Sequence, residues 1–233
     1  MESDREIGLR RFELDQRVAA AGGTRLPGDL HTESHFSALL DECTALLGHI
    51  DFIETHDGLT AAATVGKSSR VTYDPAYSAV AAGYTYTDDG PWRTASLLHE
   101  IMHVSTYEQY VKPTDPKVVR DWLQATFDYS DKAGCQPKDQ LNAVEANLTS
   151  LHNLALADKE LDKDLLAHVT WRYQYAMASS LVHYDTVLLD LLVYLRLKGY
   201  TLKNQFYAYV TKLSEEARER RISPGDNAVM IVS

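Results

Sequence analysis

The sequence predicts an α+β fold: a small twisted sheet packed on one long helix, followed by a mainly helical C-terminal half. Three observations predict it. Residues 51–87 are rich in β-branched residues and tyrosine and are cut by turn dipeptides. The run from Pro91 to about Tyr110 carries apolar residues on nearly every side of a helix. Beyond it, four stretches repeat apolar residues at helical spacing, punctuated by Gly134, Gly199 and Pro224-Gly225. The chain reads as one domain in three parts: N-terminal helices (1–50), the sheet with its long helix (51–110), and a helical half (111–233).

Taken in order, Ser3 and Glu6 have capping-box spacing and open a first helix, which Gly22-Gly23 closes. A Pro/Gly linker occupies residues 25–30. A second amphipathic helix spans 34–47, with Phe36, Leu39, Leu40, Cys43 and Leu47 on one face. Strands are expected at 52–55, 59–65, 70–73 and 83–87, with turns at Asp57-Gly58, Gly66-Lys67 and Asp74-Pro75. Asp88, Asp89 and Pro91 suit the start of the long helix, where negative charge meets the positive helix end and proline loses no hydrogen bond. The later helices are expected at 117–129, 138–158, 163–198 (with a break near Ser179-Ser180) and 202–220. The apolar tail 228–232 is expected to dock on the body as a strand.

Charge and cysteine usage narrow the partners. The formal net charge of −10 disfavours nucleic acid and anionic membranes as partners. Two distant cysteines, Cys43 and Cys135, form no disulfide framework and no CxxC site, which fits a reducing compartment. The charged N-terminus lacks the apolar core of a secretory signal. The most apolar stretch, 186–197, is broken by Asp190 and Arg196 and is too short to span a bilayer. These features predict a cytoplasmic protein, though secretion without a cleaved signal leaves no trace in such a reading.

The chemistry concentrates in Leu98-His99-Glu100-Ile101-Met102-His103, an HExxH pattern on the long helix. Residues i and i+4 share one helical face, so both imidazoles can reach a single ion. Neutral imidazole suits Zn²⁺, and Glu100, beside the pair, can take a proton from a metal-bound water. Leu97, Leu98, Ile101, Met102 and Val104 surround the motif, so the helix is expected to be buried. Two histidines and a glutamate are costly in such a setting unless hydrogen-bonded or metal-bound.

The same run resembles the active-site helix of zincin metallopeptidases, a similarity covering residues 51–149, in which HExxH is the specific element. The strand 83–87 resembles the zincin edge strand along which extended substrate binds. The resemblance implies a zinc-dependent peptidase with a peptide or protein substrate and Glu100 as general base. Thr106 and Gln109 stand where the metzincin extension needs Gly and His or Asp, which disfavours that class.

A catalytic zinc ion takes three protein ligands and a water. Glu145 is the first candidate for the third. It lies at i+4 from Leu141 and i−3 from Leu148, so it is expected to share the apolar stripe of its helix and to be buried. That placement resembles a gluzincin, in which a downstream helix supplies a glutamate. Asp115, Asp121, Asp128 and His152 are the alternatives. Asn142, Thr149 and His152 flank Glu145, either orienting ligands or simply edging a buried face. His183 and Tyr184, in an otherwise apolar helix, are candidates for the donor that stabilises an oxyanion, although a buried tyrosine and a half-exposed histidine are the more ordinary reading.

Two other functions share the motif. Two histidines and one carboxylate with open positions also describe a non-haem Fe²⁺ oxygenase acting on a peptide. A proteolytic effector or toxin domain is a variant of the peptidase reading. His31 and His35 are also four apart but straddle a helix start, and His49, His56 and His168 are expected at the surface or its boundary. Tyr73, Tyr77, Tyr84 and Tyr86 reflect strand propensity or line a cleft.

Overall fold

A computed structural model describes residues 4–29, 33–64, 69–79, 88–110, 138–179 and 184–222. These residues form an α+β structure, mostly helical: α1 (Asp4–Ala20), α2 (Ser34–Ala45), β1 (Asp51–Glu54), β2 (Ala62–Thr64), β3 (Arg70–Tyr73), α3 (Asp89–Tyr110), α4 (Lys138–Ala157), α5 (Lys163–Ser179), α6 (Tyr184–Leu197) and α7 (Gln205–Ile222). The expected strand at 83–87, the turn at Gly66-Lys67, the helix at 117–129 and the apolar tail lie outside the described residues. Among the described residues no helix is long and apolar enough to cross a membrane.

The chain divides into two compact units. One comprises Met1–Ser105 and Leu189–Thr201, the other Thr106–Leu188 and Leu202–Ser233. The sheet and the HExxH motif belong to the first unit; α4, α5 and α7 belong to the second.

In the first unit, α1 ends where glycine permits it. Gly22 adopts φ +70, and the amides of Gly22 and Gly23 return to the carbonyls of Ala19 and Val18, closing the helix. Leu14 and Val18 of α1 and Phe36, Leu39, Leu40 and Cys43 of α2 are buried, the pattern their helical spacing dictates.

The sheet has the order β1-β3-β2. β1 runs parallel to β3 from Asp51↔Arg70 to Glu54↔Tyr73, and β2 pairs antiparallel on the other side, from Ala62↔Tyr73 to Thr64↔Val71. The crossover from β1 to β2 is fixed by one buried carboxylate. Asp74, 2% exposed, accepts from the Gly58 and Ala76 amides at 3.2 and 2.9 Å. Gly58, at φ +68, supplies the left-handed turn, and Asp57 caps it through the Leu59 amide at 3.0 Å.

Helix α3 starts as its sequence dictates and is then pinned in place. Asp88 Oδ1 accepts from the Gly90 amide at 2.9 Å, a capping contact. Arg93 donates twice to the Tyr77 carbonyl, at 3.1 and 2.9 Å, and the Thr94 hydroxyl donates to the Thr24 carbonyl at 2.7 Å. Close backbone approach makes the last of these possible: a Cβ on Gly23 would stand 2.5 Å from Thr94 Oγ1. The first turns of α3 are therefore held from two loops, and the motif two turns later inherits that position.

Candidate metal centre

Burial of α3 follows the sequence expectation. Leu97, Leu98 and Ile101 are fully buried, and Met102 and Val104 nearly so. His99 is 1% exposed and His103 5%, while Glu100 is half-buried. One turn of helix brings the two imidazoles together: Nε2 of His103 lies 3.1 Å from Nε2 of His99, with ring centroids 4.8 Å apart and planes at 73°. One of these nitrogens donates and the other accepts, so the pair forms a hydrogen bond. A ligand atom from each of His99, Glu100 and His103 lies within 4.8 Å of the other two.

The nitrogen spacing suits a shared ion. Two nitrogens at about 2.0–2.1 Å from a tetrahedral ion stand about 3.3 Å apart. At right angles, as in an octahedral site, they stand about 2.9 Å apart. The observed 3.1 Å falls between these values. An ion held by both nitrogens would take the place of the proton they now share.

Glu100 is held from the sheet. The Thr64 amide donates to Glu100 Oε2 at 2.8 Å, and the Thr64 hydroxyl lies 2.7 Å from the same oxygen. That hydroxyl is also 2.9 Å from the main-chain oxygen of Glu100, so its one proton sits between two oxygens of the same residue. Hydrogen bonds to a carboxylate are worth about 1.5–3 kcal/mol each, enough to offset the entropy lost in fixing a glutamate side chain, about 1.5–2 kcal/mol. Sequence reasoning missed Thr64. It is one β-branched residue of an expected strand, 36 positions from its partner, and nothing local marks it.

The other candidates belong to the second unit or lie outside the described residues. Glu145 is exposed on α4, which corrects the expectation of burial. At about 100° per residue, the buried stripe of Val144, Leu148, Leu151 and Ala155 is centred about 90° from Glu145, so sharing i+4 and i−3 spacing with leucines put it at the stripe's flank. Thr149 is exposed beside it. His152 is half-buried, its ring stacked 4.4 Å from that of Tyr173 and its Nε2 3.2 Å from the Thr170 hydroxyl. Tyr184 is 3% exposed at the start of α6, and its hydroxyl accepts from Asn147 Nδ2 at 3.2 Å. That partner fits the ordinary reading of a buried tyrosine with its hydroxyl satisfied. Both residues belong to the second unit. His183, Asp115, Asp121 and Asp128 lie outside the described residues, as do His31, Tyr84, Tyr86 and the side chain of Asn142.

Two histidines expected alike at the surface differ. His56 is exposed, 3.4 Å from Glu54. His168, in contrast, is fully buried, edge-on to Trp171 at 5.8 Å. Asp164 and Arg172, one turn either side of it on α5, are also buried, so His168 sits in a polar column on the inward face of its helix.

Compared with known proteins, the chain matches no protein family, no curated protein and no solved structure.

Proposed function

We infer that this chain is a metal-dependent hydrolase acting on a peptide or protein, with one ion on His99 and His103 and with Glu100 as general base. The observation that supports this best is the buried pair of imidazole nitrogens, 3.1 Å apart, next to a carboxylate held from a strand. Zincin-like chemistry is the nearest precedent for such a residue set. When bound, the ion lowers the pKa of a coordinated water to about 7 and polarises the substrate carbonyl. Glu100 accepts a proton from the attacking water as the water oxygen bonds to the carbonyl carbon. The same carboxylate then delivers that proton to the departing amine as the carbon–nitrogen bond breaks, so one water is consumed and Glu100 is restored.

The nitrogen spacing also favours a second reading, since 3.1 Å is close to the separation of two ligands at right angles on Fe²⁺. Elemental analysis of protein purified without added metal separates the two. Zinc at one ion per chain is the expected result. Iron at the same ratio, with oxygen-dependent turnover, would favour the oxygenase. Failure of either metal to bind on titration would overturn the centre altogether.

On the resemblance to gluzincins we propose Glu145 as the third protein ligand. Glu145→Ala is expected to leave the fold intact, because the side chain is exposed, and to weaken zinc binding by at least about tenfold, since each ligand of a three-residue set carries a large share of the affinity. Titration against a competing chelator checks this. Unchanged affinity, together with a loss on changing Asp115, Asp121, Asp128 or His152, would move the ligand to that position.

A further inference from the structure

We propose that Thr64 is a positioning residue for Glu100, holding the carboxylate in one orientation beside the imidazole pair. The inference rests on the hydrolase reading above. Thr64 meets Glu100 three times: its amide and its hydroxyl converge on Oε2 at 2.8 and 2.7 Å, and the hydroxyl lies 2.9 Å from the main-chain oxygen. Gripping both ends of one residue fixes the torsions between them. Glutamate otherwise has three free torsions with which to swing away from the neighbouring histidines.

The strand can provide this grip because of where it lies. β2 is an edge strand, paired only with β3 among the described residues. The Thr64 amide is therefore available to a partner outside the sheet, and α3 supplies one. A base must be held close to its productive geometry before the reaction begins, because every torsion frozen during reaction adds to the barrier. Thr64 meets that requirement from an element that is itself fixed by β3.

Two measurements on the full chain test the proposal. The first needs no metal: amide hydrogen exchange at Thr64, read by NMR. Glu100→Ala is expected to speed exchange at Thr64 at least about tenfold while the amides of β3 keep their protection. No change would mean that the contact is not made in solution and would overturn the proposal.

The second measurement uses zinc-loaded protein and acetohydroxamate, a small zinc ligand whose acid form must give up a proton on binding, for which Glu100 is the acceptor at hand. Thr64→Val keeps the shape and the amide but loses the hydroxyl. It is expected to weaken acetohydroxamate binding about tenfold, to leave zinc affinity unchanged, to lower the melting temperature by a few degrees as one hydrogen bond to the carboxylate is lost, and to be rescued to within about twofold by Thr64→Ser. Wild-type affinity in Thr64→Val would overturn the positioning role. A fall in zinc affinity of similar size would reassign Thr64 to structure alone. If the zinc-loaded wild type does not bind acetohydroxamate, or Glu100→Gln binds it as well as wild type does, the hydrolase reading itself fails, and the proposal with it.

Discussion

Replacing His99 or His103 with alanine is expected to abolish stoichiometric zinc binding, a loss of at least about 10³ in affinity, because each change removes one of the two imidazoles that could hold the ion. Stability should report the same event. An ion present at about 1,000 times its dissociation constant stabilises the folded chain by about 4 kcal/mol, so zinc should raise the melting temperature of wild type and leave both variants unmoved. Each variant also loses a buried ring and the 3.1 Å hydrogen bond to its partner, so its metal-free stability should fall somewhat below that of the parent. The comparison is therefore made within each variant, with and without zinc, alongside circular dichroism to confirm that the helices persist. Undiminished zinc in both variants by elemental analysis would rule this site out.

Glu100→Gln is expected to keep the ion and the fold while turnover falls by about 10²–10⁴, the range typical of a lost general base. The amide is nearly isosteric, and its oxygen can still accept from the Thr64 amide and hydroxyl, so the grip from β2 survives. What the amide cannot do is take up and return a proton. The separation of effects is the diagnostic: zinc affinity by titration within about twofold of wild type, melting temperature nearly unchanged, and a loss confined to kcat on whichever peptide the wild type cleaves. Near wild-type turnover would remove Glu100 as the base and shift weight to the oxygenase reading. A large loss of zinc affinity would instead make Glu100 a ligand.

Much of this protein is determined locally, and that part is legible in the chain itself. The span and burial of α3 follow from apolar residues on every side of the helix, its start from Asp88, and the facing of the two imidazoles from i, i+4 spacing. The end of α1 follows from the glycine at position 22, and β3 falls at 70–73, where β-branched residues and tyrosine gather. These features depend on torsions and neighbours within one or two turns, which the sequence lists in order.

Tertiary structure decided what depends on distant partners. The parallel pairing of β1 with β3 and the placing of β2 on the far side are set by contacts across intervening chain, and hydrophobic pattern alone is silent about them. The grip of Thr64 on Glu100 joins residues 36 positions apart through an edge amide that any sequence offers at any strand position. Burial at the flank of a helix is decided the same way. Glu145 and His168 each stand within a turn of apolar neighbours, yet Glu145 is exposed and His168 is enclosed. A helix fixes the angle at which a side chain leaves it; only the packing of its neighbours decides how wide an arc is covered.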